Sequence, residues 1–143
     1  MFVRRSRAVW QGNFKEGKGR MSPGGRELEF AFSAGTRFGD EPGSNPEELV
    51  GAAHAGCFSM ALAAVLDTAG FSPREIATEA RVSIDRDASG FTIQRSDLST
   101  EADVPGIDPD LFAKLAEDAK KGCPVSKALK GVEITLQAKL RPR

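Results

Sequence analysis

Cys57 and Cys123 are the only cysteines in this 143-residue chain, and their settings differ. The first lies in Asn45-Pro46-Glu47-Glu48-Leu49-Val50-Gly51-Ala52-Ala53-His54-Ala55-Gly56-Cys57-Phe58-Ser59-Met60-Ala61-Leu62, which reads as a capped, buried helix. The second lies in Gly122-Cys123-Pro124-Val125-Ser126-Lys127-Ala128-Leu129, where a short helix would begin. Thiolates, not thiols, are the nucleophiles of cysteine chemistry. Burial disfavours the anion at Cys57, whereas a helix start favours it at Cys123. These two settings suggest a nucleophile and a resolving partner, and therefore thiol redox chemistry. Each residue also has a plainer reading: Cys57 as a small buried hydrophobe and Cys123 as an ordinary turn residue.

An ionised Cys57 inside an apolar helix needs a positive charge beside it. Arg37, in the segment just before the helix, is the candidate, because a guanidinium is permanently charged and bonds in two directions. Glu47, ten residues before Cys57, could hold that guanidinium through a bidentate pair. On spacing alone, Arg37 reads better as a solvated loop cation and Glu47 as a first-turn acid that complements the helix dipole. His54, the only histidine, stands at i−3 from Cys57. A Cys-His hydrolase would need a third group to orient the imidazole, and none is identifiable, so a packed or hydrogen-bonded core histidine is expected. Two cysteines and one histidine lack the clustered spacing of zinc sites. The glycine-rich stretches match neither a Walker loop nor a dinucleotide fingerprint. No metal and no cofactor are expected.

The elements that must position these residues follow from punctuation and period. Residues 3–12 lead into turn clusters at Gly17-Lys18-Gly19 and Ser22-Pro23-Gly24-Gly25, and residues 26–33 alternate Leu28, Phe30 and Phe32 on one face, as a half-buried strand does. Residues 35–43 read as a polar loop. Asn45 as N-cap, Pro46 at the first helical position and Glu47-Glu48 in the first turn open a long helix that ends near Gly70. Leu49, Ala53, Cys57, Met60 and Ala64 recur along it at steps of three and four, and apolar residues on all sides predict a helix that is surrounded. Strands are predicted over 78–87 and 91–104 around a hairpin at Asp87-Ala88-Ser89-Gly90. A helix opened by Asp108-Pro109 follows, with Leu111, Leu115 and Ala119 on one face, then a short helix to Leu129 and a last strand over 132–140. Trp10, Phe14, Phe30, Phe32 and Phe38 read as core or as the lining of an apolar pocket. The fold class is α+β, in one domain spanning 1–143.

Twenty acidic and twenty basic side chains cancel, so no net field favours nucleic acid or an anionic membrane. The uncharged run 49–66 barely reaches spanning length and carries His54 and Ser59, which predicts a core helix rather than a membrane span. No apolar stretch follows the basic start at Arg4-Arg5, so no export signal is expected and the chain is placed in the cytoplasm. In such a reducing compartment a transient disulfide is plausible and a lasting one is not.

Taken together, the helix segment 45–62 and Gly122-Cys123-Pro124-Val125-Ser126 resemble the OsmC/Ohr family, the osmotically inducible and organic hydroperoxide resistance proteins. The likeness extends through Gly17-Lys18-Gly19, Thr36-Arg37-Phe38, Ala69-Gly70-Phe71, Val104-Pro105-Gly106-Ile107-Asp108 and the final strand, and therefore covers nearly the whole chain. His54 with Thr36-Arg37-Phe38 is similar to the OsmC branch. The resemblance implies a thiol peroxidase that reduces organic hydroperoxides and, less efficiently, hydrogen peroxide. It implies an intertwined homodimer with antiparallel-rich six-stranded sheets shared between chains and wrapped around two long central helices. It implies Cys57 as the peroxidatic cysteine, Cys123 as the resolving one, Arg37 as the arginine that stabilises the thiolate, and Glu47 as the acid that positions this arginine. Family branches place the arginine differently, which leaves Arg20 and Arg26 as alternatives. Gly56 departs from the alanine common in the family. An external thiol, of which dihydrolipoyl groups on lipoylated proteins are the type the family suggests, would reduce the Cys57–Cys123 disulfide. A reading from another class is a non-enzymatic stress protein that holds a hydrophobic ligand in the interface cavity. A disulfide reductase is disfavoured because Cys-x-x-Cys is absent.

Overall fold

The computed structural model describes residues 1–25 and 27–142, and the chain divides into two compact units, Met1–Leu49 and the remainder from Val50. In the first unit, β1 (Ser6–Gln11), β2 (Lys18–Pro23) and β3 (Phe30–Phe32) form an antiparallel sheet in sequential order. Trp10 faces Gly19 across one ladder and Gly19 faces Phe32 across the next. A Cβ on Gly19 would come within 2.5 Å of the Phe32 ring, and one on Gly17 within 2.7 Å of the Trp10 ring. These glycines let the Trp10–Phe32 pair, 5.3 Å between centroids, lie against the backbone. The expected Gly17-Lys18-Gly19 turn is therefore only partly one: Gly17 closes it onto the Asn13 carbonyl at 2.8 Å, while Lys18 and Gly19 already belong to β2.

Two further expectations for this unit need correction. The strand read over 26–33 shrinks to Phe30–Phe32, because the chain leaves β2 through a left-handed Gly24 (φ +71°) and Leu28 stays exposed. Arg26 lies outside the described residues. The loop read over 35–43 contains a short helix, α1 (Ala34–Phe38), opened by a capping box. The Thr36 amide donates to Ser33 Oγ (3.2 Å) and the Ser33 amide donates to Thr36 Oγ1 (2.9 Å). Thr36 stands where the usual motif has Glu or Gln, which hid the signal.

The long helix, α2 (Pro46–Thr68), begins and ends as its punctuation predicts. Asn45 Oδ1 accepts from the Glu48 amide at 2.8 Å, Gly70 takes φ +90°, and the Phe71 amide donates back to the Leu66 carbonyl at 2.9 Å. The buried residues of α2 from Val50 onward are Gly51, His54, Phe58, Leu62 and Leu66, at steps of three and four. The predicted stripe is a different one. Ala53, Met60 and Ala64 are exposed in this chain, with Met60 76% accessible, so α2 is packed on one face and not surrounded. In a helix apolar on every side, periodicity has no phase from which to select the core face. By length and composition α2 is apolar enough to cross a membrane. Its His54, Phe58, Leu62 and Leu66 are instead packed into the protein's own core.

In the second unit, β4 (Glu75–Asp87) and β5 (Gly90–Asp103) form a long antiparallel hairpin whose tight turn uses Gly90 at φ +115°. Ile76, Ala80, Val82 and Ile84 alternate with exposed neighbours along β4. Asp108 then caps α3 (Pro109–Gly122), accepting from the Asp110 and Leu111 amides at 3.0 and 3.1 Å. Phe112, Ala116 and Ala119 are buried on α3, while Leu111 and Leu115 are half-buried, a rotation of about one residue from the predicted face. After α4 (Pro124–Ala128), β6 (Glu133–Leu140) pairs in parallel with β5. The crossover that a parallel pair requires is α3 and α4. The architecture is α+β, with two three-stranded sheets and one long helix.

Candidate active site

Cys57 projects from α2 beside the buried Phe58, itself half-buried and packed against the core. Cys123 is fully buried at the junction of α3 and α4. Its backbone is clamped from both sides: its amide donates to the Ala119 carbonyl at 2.9 Å, and its carbonyl accepts from the Lys127 amide at 3.0 Å. Pro124 sits at the first position of α4, where its missing N–H costs nothing. A rigid corner thus holds the second thiol against the helix that carries the first. Both are free thiols, and each shifts the other's ionisation.

The two thiols are shifted in opposite directions. Burial pushes the Cys57 thiol up, and the bond it donates to Cys123 pushes it further, against a smaller opposing pull from the Val125 amide. Burial also pushes Cys123 up, but the bond from Cys57, the amides of Ser126 and Val125, and the Ser126 hydroxyl together outweigh it and hold that thiol below its ordinary value. Cys123 makes no full side-chain capping bond to α4, so the amides act on its sulfur chiefly as dipoles. Of the two thiols, Cys123 is therefore the more readily ionised and Cys57 the less.

Behind Cys123 lies a buried polar chain. His54 is wholly inaccessible, with Nδ1 2.7 Å from Ser96 Oγ on β5 and Nε2 2.8 Å from Ser126 Oγ on α4. Ser96 and Ser126 are themselves 1% and 8% exposed. Burial pushes the His54 imidazole below its ordinary value, so it is neutral in the fold. The hydrogen-bonded core histidine is as expected from sequence; its partners are not. Ser126 was visible only as part of the Cys123 motif, and nothing in the pattern around Ser96 singles it out.

The charged pair belongs to the first unit. Arg37 Nε lies 3.1 and 3.2 Å from the two carboxylate oxygens of Glu47, and its Nη2 lies 2.6 Å from Oε1. Glu47 is buried in the first turn of α2, where the helix dipole favours its negative charge. Arg37 is half-buried and also lies over the Phe38 ring, 5.5 Å from its centroid. The two residues proposed from sequence as a clamp do form one. Arg20, the alternative arginine, instead pairs with Glu29 at 2.8 Å on an exposed sheet face. The aromatic residues of this unit form two tilted pairs, Trp10–Phe32 and Phe14–Phe38, and not one lining. Among the described residues, no cluster of His, Cys, Asp or Glu is suited to hold a metal ion.

Residues 39–137, which include both thiols and Glu47, match the family described as OsmC-like protein. The chain belongs to the OsmC family. It is 48% identical over 139 residues to Peroxiredoxin OsmC of Escherichia coli (strain K12), 96% of each chain being covered. An organic hydroperoxide resistance protein of Xanthomonas axonopodis pv. citri is 33% identical over 96 residues, 66% of each chain. Among solved structures, an organic hydroperoxide resistance protein from Elizabethkingia anophelis superimposes with a TM-score of 0.74 at 26% identity, covering 99% of this chain and 98% of that one. The fold is therefore that of the OsmC proteins.

Proposed function

We propose that this chain is a cysteine-based peroxidase that reduces organic hydroperoxides, and hydrogen peroxide less efficiently, in defence against oxidative and osmotic stress. The observation that carries this reading is that two free thiols far apart in sequence, Cys57 and Cys123, share one packed core and shift each other's ionisation. The Cys57 thiolate attacks a peroxide oxygen; the O–O bond breaks, the leaving alkoxide takes up a proton to become an alcohol, and Cys57 becomes a sulfenic acid. Cys123 then condenses with it, and an external dithiol reduces the disulfide. Burial raises the Cys57 thiol, so its reaction as a thiolate calls for a positive charge that lowers it. In this reading Arg37 supplies the charge that does so and polarises the peroxide, while Glu47 fixes the guanidinium through the three contacts of 2.6 to 3.2 Å.

The exposed apolar face of α2, with Met60 at its centre, supports an intertwined homodimer as the working form. The two units then act as one functional domain. A cytoplasmic setting and a dihydrolipoyl reductant complete the proposal. The test is intact mass and thiol titration of the reduced protein before and after one equivalent of cumene hydroperoxide. Loss of two thiols per chain, with a Cys57–Cys123 peptide link, is expected. Retention of both thiols would move the assignment to a ligand-binding stress protein. Cys57→Ser is expected to consume no peroxide, and Cys123→Ser to be oxidised once without forming the link.

A further inference from the structure

His54 and Ser126 are buried, polar and in contact, and the peroxidase cycle described above gives them no task. We propose that Ser126, oriented by His54, is a positioning residue for Cys123 in the step that closes the disulfide; this rests on the peroxidase reading. A neutral imidazole has one N–H and one lone pair in its ring plane. For the Ser126 hydroxyl to donate to the Cys123 sulfur, its oxygen must accept from His54 Nε2–H at 2.8 Å. Nδ1 is then the acceptor, and Ser96 Oγ–H donates to it at 2.7 Å. One consistent chain results, Ser96 to His54 to Ser126 to Cys123, running from β5 through α2 to α4. Among the described residues, every buried side-chain nitrogen and oxygen has a hydrogen-bond partner.

The chemistry needs such an orienting bond. In the closing step the Cys123 sulfur attacks the Cys57 sulfenic sulfur; an S–S bond forms, the S–O bond breaks, and hydroxide leaves with the Cys123 proton as water. Cys123 is oxidised and Cys57 reduced. A hydroxyl fixed on Cys123 holds its lone pair toward the attack and stabilises its anionic form until the bond closes. Near-attack geometry of this kind accelerates a step without touching the one before it.

The experiment uses the full-length reduced protein and one equivalent of cumene hydroperoxide. Peroxide loss reports the first step; dimedone capture of the Cys57 sulfenic acid against disulfide formation, read by intact mass, reports the second. The ratio of second to first rate is expected to fall about tenfold in Ser126→Ala and His54→Leu, the order of one lost hydrogen bond to an anionic acceptor. Ser126→Thr, which keeps the hydroxyl, and His54→Gln, whose amide nitrogen can stand in for Nε2, are expected to restore most of it. A wild-type ratio in Ser126→Ala overturns the inference, as does a Ser126→Thr protein as slow as the alanine variant, since packing and not the hydroxyl would then be at work. If the unsubstituted protein closes no disulfide at all, the peroxidase reading falls first and this inference falls with it.

Discussion

The two units of this chain solve the problem of holding a reactive group in opposite ways. From Val50 onward, Phe58, Leu62, Leu66, Leu98 and Phe112 are all at most 2% exposed, and the thiols are fixed by a packed apolar core. In Met1–Leu49, among the described residues, no large apolar side chain is buried; the buried positions are Gly17, Gly19, Thr36, Ser44 and Glu47. That unit is held by glycine-permitted close approach, a capping box and a carboxylate–guanidinium clamp, while Phe14 is 65% exposed. Burial of apolar area is what stabilises small folds, and hydrogen-bonded surfaces contribute little net. A unit whose order is polar gains little stability from a core of its own.

The largest expected effect tests the first half of this contrast. Phe58→Ala removes a fully buried ring and should destabilise the protein by about 3 to 5 kcal/mol. Phe14→Ala should change the stability of a monomeric form by less than about 0.5 kcal/mol. Urea unfolding monitored at Trp10, the only tryptophan, measures both. Equal losses would show that the first unit has a core of its own kind after all. The next effect is on assembly. Met60→Asp places a charge on the exposed apolar face of α2 and should weaken self-association by roughly 3 kcal/mol if that face is buried between chains. Sedimentation velocity should then show monomer where the unsubstituted protein shows dimer; an unchanged dimer would move the interface elsewhere.

The same contrast explains what was legible in the sequence. Asn45, Pro46 and Gly70 are local signals with local causes, and α2 has the ends they announce. The period-two residues of β4 sit as read, because one face of that hairpin packs and the other does not. The buried face of α2 was illegible, since Met60 and Phe58 are equally apolar and only tertiary packing distinguishes them. In the first unit one misreading has a plain cause. Gly19 looked like a turn residue because a glycine under an aromatic ring and a glycine in a turn are the same letter. At the site, the Arg37–Glu47 clamp followed from charge and the helix start, whereas Ser96 is joined to His54 across 42 residues and left no local trace.

A smaller effect probes whether the polar unit contributes to chemistry or only to its own order. Arg37→Leu should slow the first oxidation of Cys57 about 100-fold, the scale on which one preorganised charge contact acts. Glu47→Gln, which keeps the shape and removes the charge that fixes the guanidinium, should slow it about tenfold. Stopped-flow loss of cumene hydroperoxide under single-turnover conditions measures both. A near-normal rate in Arg37→Leu would confine the clamp to holding α1 against the start of α2, and the charge beside Cys57 would have to come from another residue.

The smallest expected effect sharpens the comparison from within the apolar core, where His54 is held at 0% exposure between Ser96 and Ser126. Burial puts its folded pKa below the ordinary 6.5, so between those two values the unfolded chain binds a proton that the folded chain refuses. Stability owed to the neutral imidazole is therefore intact above pH 6.5 and is lost as pH falls through that window toward the folded value. Urea midpoints should decline more between pH 7 and pH 5 for the unsubstituted protein than for His54→Gln, which cannot titrate; carboxylates contribute alike to both and cancel in the difference. Parallel slopes would mean that the folded core accepts an imidazolium. Nδ1 would then donate to Ser96 instead of accepting from it, and the direction of the chain leading to Cys123 would no longer be fixed by a single tautomer.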